Sequence, residues 1–201
     1  MTTTSPSAMN SMAAWEDARI EGAIRDLILH MGDDPDREGL VKTPQRVRTS
    51  RAALSDGYGA SPLSVVGDAL FKESSRGMIT VRDIEFYSMC EHHILPFYGR
   101  VQISYLPDGL VVGLSKLPRL VDVFAHRLQV QERLTAQIAE AVADVTHARG
   151  VGVIVEGFHL CMMMRGVAKQ HSSTHTSEYL GEFESSQDVR DQMFRALTRN
   201  S

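Results

Sequence analysis

The sequence predicts an α+β fold, and three observations carry that prediction. Apolar residues run at helical spacing early in the chain, alternate as in strands through the middle, and return to helical spacing twice in succession. A nearly unbroken apolar run follows, then a last helical stretch. The order is therefore helices, antiparallel strands, two consecutive helices, antiparallel strands and a helix, without the strict strand–helix alternation that builds a parallel sheet. No internal repeat is evident at repeat-protein periods.

A chain of 201 residues suits one domain with an appendage. The formal net charge of −4 gives no basic balance, so neither nucleic acid nor an anionic membrane surface is expected as a partner. No apolar run approaches the roughly 20 residues of a spanning helix. The start, Met1 to Met12, lacks the basic and apolar regions of a secretory signal. Two cysteines give no disulfide framework and fit a reducing compartment, so the cytoplasm is expected.

The elements follow in order. Residues 1–13 are Ser/Thr-rich and have the composition of a disordered arm. From Trp15, the residues Ile20, Ile24, Leu27, Ile28 and Met31 fall on one helical face, and Gly32 with Asp33-Asp34-Pro35 ends that helix. Thr43-Pro44 starts a second helix, carrying Arg46, Arg48 and Arg51. The turn-rich stretch from Ser55 to Pro62 separates a helical region, 14–60, from a main domain, 61–201. Met78 to Tyr87 reads as a strand whose apolar parity slips around Asp83, as at a β-bulge. Val101, Ile103 and Tyr105 alternate with polar residues in a second strand, and Pro107-Asp108-Gly109 turns it into a short third, Leu110 to Val112. Ser115 is expected to cap a helix with the stripe Leu117, Leu120, Val121 and Phe124. The next helix carries Leu134, Ile138, Val142 and Val145 and is expected to stop at Gly150. Val151 to Met164 reads as one strand buried on both faces, Ser172 to Ser177 as its partner, and a last helix includes Val189, Met193, Phe194 and Leu197.

The chemistry concentrates in Cys90-Glu91-His92-His93. Cys90 and His93 are three apart, so one turn can bring thiolate and imidazole to one ion, and the other cysteine, Cys161, follows His159 closely. Cys90, His93 and Cys161 make a three-ligand zinc set of the kind that leaves a position for water. Against it stand two bland alternatives, inert core cysteines and a closed structural site of Cys90, His93, His159 and Cys161. On an unbroken strand, His159, Cys161 and Arg165 would share one face. His92 and His159 are spare imidazoles suited to proton transfer, whereas His126 and His147 are expected to be structural. Ser115-Lys116-Leu117-Pro118-Arg119 puts two cations at a helix start, an anion site on one reading and a solvated turn on the other.

Cys-Glu-His-His at residue 90, Gly-Leu-Ser-Lys at 113, Gln-Val-Gln-Glu-Arg-Leu-Thr at 129, His-Leu-Cys-Met at 159 and Met-Arg-Gly-Val at 164 together resemble GTP cyclohydrolase I, with a looser match at Thr43-Pro44-Gln45-Arg46. The resemblance implies the tunnelling fold, an antiparallel sheet with two helices on one face, assembled into an oligomeric barrel as a decamer. It implies zinc as cofactor and GTP as substrate, converted to 7,8-dihydroneopterin triphosphate and formate. It assigns Glu132 and Gln131 to substrate binding, with Glu132 against the guanine, and Lys116, Arg119, Arg165 and Arg46 to the phosphates, Arg46 from a neighbouring subunit. His159 would serve the purine ring, while His92, turned away from the metal, and Ser115 would assist the later ribose rearrangement. The sequence departs from the family pattern at Thr49, where lysine is common, and at His171, His175, Glu178 and Tyr179. Those departures keep in view a diverged relative that stops after ring opening or serves a specialised pterin or deazapurine pathway.

Overall fold

A computed structural model describes the chain over residues 6–198, with side chains from Glu16 onward. It forms two compact units, divided between Ala53 and Leu54. The division falls before the expected residue 60 because the segment after Ala53 belongs to the main unit. There Gly57 is buried, and the Arg127 guanidinium donates to its carbonyl at 3.1 Å.

The first unit is a pair of helices, α1 (Pro6–His30) and α2 (Thr43–Ala53). Helix α1 begins earlier than Trp15, so the arm expected over residues 1–13 is helical from Pro6, and its first five residues lie outside the described ones. Ala8, Met9, Met12, Ala13 and Ala14 are helix formers, and that propensity outweighs the Ser/Thr content. Arg48 bridges the two helices through Asp17 at 2.9 Å and Glu21 at 2.8 Å. The expected apolar face of α1 is buried only at Ile28; Ile20, Leu27 and Met31 stay about half exposed or more, at 49%, 54% and 67%.

The second unit opens with a 3₁₀ turn (Asp56–Gly59) and a short helix, α3 (Pro62–Val66). Strand β1 (Leu70–Lys72) pairs with β4 (Leu110–Val112) in a small separate ribbon. The main sheet has the order β5-β2-β3-β6-β7, from β2 (Ile79–Cys90), β3 (Pro96–Leu106), β5 (Leu128–Gln129), β6 (Gly150–His159) and β7 (Thr174–Gly181). All its pairings are antiparallel except β2 with β5. The bulge appears where parity slips: the β2–β3 register shifts between Val81 and Ile84, and Asp83 takes φ 57°.

Alternation then sets the two faces. Ile84, Val101 and Val155 stand in register, as do Val81, Ile103 and Val153, so these rows line one face. Helices α4 (Lys116–Ala125) and α5 (Gln131–Thr146) cover that face with Leu117, Leu120, Val121, Leu134, Ile138 and Val142, all fully buried. On the other parity, Ile154 packs with Phe183 and Met193 from α7 (Glu182–Ser185) and α8 (Gln187–Thr198). Phe194, expected in the last helix's stripe, is 44% exposed.

Three expectations are corrected here. Ser115 occupies the position before α4 but makes no capping bond and has helical dihedrals, φ −66° and ψ −12°. Helix α5 ends at Thr146, and His147 supplies the left-handed residue at φ 50°, while Gly150 begins β6. The predicted strand from Val151 to Met164 breaks after His159 into the helical turn α6 (Leu160–Met163). The reason is pairing. On one side β3 starts at Pro96, with Phe97 opposite His159; on the other, β7 reaches only Thr174, opposite Gly157. Past His159 the backbone has no ladder to join, so its polar groups bond locally instead, as in Met164 N–H to Leu160 O at 3.1 Å.

Candidate active site

The site forms where β2 and β6 end together. Strand β2 delivers Cys90, and the five-residue connection to β3 closes tightly: Ile94 N–H donates to Cys90 O at 2.8 Å and Cys90 N–H to Leu95 O at 2.9 Å. This return carries His93 back beside Cys90, with Ile94 at φ 52°, a strained value for a β-branched residue. Glu91 N–H bonds to Gln129 O at 3.0 Å, and the Glu91 carboxylate takes two bonds from Arg133 at 2.6 and 3.2 Å. Arg133 thereby holds the Glu91 carboxyl below its ordinary value of 4.5 and ties the loop to α5.

On the β6 side, the helical turn brings Cys161 to the same place. The ligand atoms of Cys90, His93 and Cys161 all lie within 4.8 Å of one another. Zinc bonds of about 2.0–2.3 Å to nitrogen and sulfur make that span closable by one ion with a small inward movement. Burial, and next the Cys90 thiol, push the Cys161 thiol above its ordinary 9.0, and Arg165 partly opposes this. A divalent cation would favour the Cys161 thiolate and offset that rise. His93 is exposed while Cys90 is buried, so the cluster opens to solvent on one side.

His159 lies on the helix-facing side of β6, with its ring stacked on Phe97 at 4.6 Å and 3°. Its Nε2 is 2.8 Å from Gln131 Oε1. Burial lowers its pKa from 6.5, and the charge of Glu132, exposed on the first turn of α5, partly restores it. His92 does not turn away from the cluster as expected: Nδ1 lies 3.6 Å from Cys90 Sγ, because the tight loop folds its side chain back over the strand end. Gln131, expected among the substrate-binding groups, is buried with its amide bonded inside the protein. Neither Phe97 nor Thr176, which complete the surroundings of His159 and Gln131, was singled out from the sequence. Only the register of β3, β6 and β7 brings them there.

Other predicted groups lie elsewhere. Lys116 and Arg119 line a groove of about 640 Å³ with Asp56, Asp122 and His126, and none of the metal cluster borders it. Lys116 Nζ donates to Val65 O at 3.0 Å, and Ser115 is exposed beside it. The start of α4 follows β4, whose Val112 N–H reaches the Tyr105 hydroxyl at 3.3 Å. Tyr105 and Phe97 mark opposite ends of β3, eight residue steps or roughly 27 Å apart at strand rise. The cations of α4 and the metal cluster are therefore at opposite ends of the sheet. His126 bonds Asp56 at 2.7 Å, and His175 meets Glu156 at 3.5 Å. Arg46 is exposed on α2 of the first unit.

The family profile of GTP cyclohydrolase I matches residues 20–198. The chain belongs to the GTP cyclohydrolase I family. Its sheet with two helices on one face is accordingly the tunnelling fold of that family. The GTP cyclohydrolase 1 of Leptospira biflexa serovar Patoc is 50% identical over 182 residues, covering 90% of this chain and 100% of its own. That of Campylobacter lari is 51% identical over 179 residues, covering 89% and 94%. That of Chromohalobacter salexigens is 54% identical over 168 residues, covering 84% and 91%. The archaeosine synthase QueF-Like in its apo form is similar in structure over 54% of this chain and 97% of its own, with TM-score 0.45 and 17% identity.

Proposed function

We infer that this GTP cyclohydrolase I opens the imidazole ring of GTP and reorganises the product to 7,8-dihydroneopterin triphosphate and formate, at the start of pterin and folate synthesis. The observation that carries the reading is the convergence of Cys90, His93 and Cys161 within 4.8 Å, beside an imidazole held in a fixed place. The ion these three residues would hold is zinc, given two thiols and an imidazole. When bound, zinc supplies the Lewis acidity that makes water nucleophilic near neutral pH.

The chain's own groups do the rest. Glu132 accepts from the guanine N1–H and 2-amino group, a pair of donors that matches two carboxylate oxygens. His159 passes a proton to the purine nitrogen beside the attacked carbon, and its lowered pKa keeps it ready to lose and regain that proton. Arg165, next to Cys161, meets the phosphate side. His92, exposed at the rim of the cluster, serves the later ribose rearrangement.

Ser115, Lys116 and Arg119 stand too far along the sheet to reach substrate bound at the cluster of their own chain. They act on GTP held at the cluster of a neighbouring chain, as does Arg46, and the working form is an oligomer, the family's decamer. The chain works in the cytoplasm.

The test is product analysis with metal content. Cys90→Ser and Cys161→Ser lose zinc and ring opening together. His159→Ala keeps zinc and does not open the ring. His92→Ala keeps zinc and accumulates a ring-opened formamide intermediate. Wild type yielding only an opened pyrimidine would identify a diverged enzyme that stops early. Full zinc and activity in both cysteine variants would remove the metal site.

A further inference from the structure

The hydrogen bonds around Gln131 allow only one orientation of its amide. Nε2 lies 3.1 Å from Val155 O, 2.8 Å from Thr174 O and 3.1 Å from Thr176 Oγ1. Two of those three partners are backbone carbonyls, which only accept. The third is fixed by its neighbour. Thr135 Oγ1 donates its one proton to Gln131 O at 2.8 Å, so at 2.6 Å it accepts from the Thr176 hydroxyl. Thr176 Oγ1 has then given its proton away and accepts from Gln131. Turning the amide over would set Oε1 against two carbonyl oxygens in a site 1% exposed.

Oε1 therefore faces His159 Nε2 at 2.8 Å, and an acceptor there demands an N–H. Two features tighten the contact. Gly157 leaves room for the amide, since a Cβ at that position would lie 2.2 Å from Oε1. Phe97 stacks nearly parallel on the imidazole and fixes its plane.

We propose that Gln131 is a positioning residue that holds His159 as the Nε2–H tautomer, so that the proton His159 exchanges with substrate passes through Nδ1. The same Oε1 accepts from Nε2–H in the imidazolium and in the neutral ring, so the bond survives the transfer. In the donating direction, the Nδ1–H bond breaks, the proton bonds to a ring nitrogen of the substrate, and the imidazolium becomes the neutral Nε2–H form. The substrate half of this inference rests on the function proposed above; the tautomer half does not.

The experiment uses the full-length, zinc-loaded protein labelled with ¹⁵N-histidine, with the His159 signals assigned by difference from His159→Gln. Solid-state ¹⁵N spectra above neutral pH are expected to show a protonated Nε2 and an unprotonated Nδ1. In Gln131→Met the acceptor is lost, and the His159 signals shift and divide between tautomers. With GTP, the same variant is expected to lose about 10- to 100-fold in kcat, with KM within about twofold, because a misplaced proton donor costs turnover more than binding. If Gln131→Met does not fold, the wild-type spectrum carries the test by itself, since it reports which ring nitrogen of His159 holds the proton. A protonated Nδ1 in the wild type overturns the inference. So does a Gln131→Met protein with unchanged His159 signals and a raised KM, the mark of a substrate-binding side chain. A wild type with the expected tautomer and no turnover of GTP supports the positioning role and overturns the proposed reaction.

Discussion

Replacing Glu132 by glutamine separates recognition from chemistry. One carboxylate oxygen becomes an NH₂ that faces the guanine donors, at a cost of about 1–3 kcal/mol, or roughly 5- to 150-fold in kcat/KM. Zinc content should stay at the wild-type value, and steady-state kinetics with GTP beside metal analysis would check both. His159 gives a pH prediction with a definite sign. Its folded pKa lies below the ordinary 6.5 because burial disfavours the charged ring. Above pH 6.5 both folded and unfolded chains carry the neutral ring. As pH falls below that value the unfolded chain takes up the proton first, so stability declines until the folded value is passed. Urea midpoints of the zinc-loaded chain between pH 7.5 and 5.5 should therefore fall more steeply for wild type than for His159→Asn; parallel curves would count against a buried, neutral His159.

The elements carry their own tests. At Gly152 an added Cβ would stand 2.6 Å from the Phe183 ring and 2.8 Å from Met193 Sδ. These side chains fix α7 and α8 on the sheet, so Gly152→Ala should destabilise by about 1–3 kcal/mol through overpacking. His147 ends α5 at φ 50° and ψ 34°, a left-handed conformation that glycine adopts more cheaply. His147→Gly should raise stability by about 1 kcal/mol, read as a higher urea midpoint with an unchanged m-value. The helical turn α6 belongs to this scale as well. It places Cys161 by ending a strand, and the strand ends because its neighbours end.

For the whole molecule the sheet edges matter. Strand β2 is paired on one side by β3, and on the other only Met89 and Cys90 meet β5; β7 pairs only with β6. Within the described residues of one chain, most of β2 and all of β7 thus present an open edge, which proteins pair or cover. Sedimentation should report a mass well above that of one chain. If the triphosphate cations come from a neighbour, Lys116→Ala and His159→Ala, each inactive alone, should regain activity after dissociation and reassembly together. Mixed assemblies would then contain sites with an intact His159 from one chain and an intact Lys116 from the next. An active single chain, or no recovery from verified mixed assemblies, would sink the shared site.

What the sequence determined by itself was whatever short-range order encodes. Alternation at Val101, Ile103 and Tyr105 gave a strand with a buried face, and broken parity at Asp83 gave the bulge. The spacing of Cys90 and His93 was enough to propose two ligands of one ion, because a single turn sets their separation. The tertiary structure alone decided the rest. The apolar run through Met164 could not reveal that β6 stops at His159, since an apolar residue suits a buried strand and a partly exposed turn alike. Strand pairing chose between them. The resemblance assigns Gln131 to substrate binding beside Glu132, yet its amide is spent on Val155, Thr174, Thr176 and His159, residues 24 to 45 positions away. The cations of α4 are assigned together with Arg165 to the phosphates, and the length of β3 sets them apart from the cluster. Periodicity reports which side of an element is buried; which ends meet, and which chain supplies the missing groups, follows from register and closure.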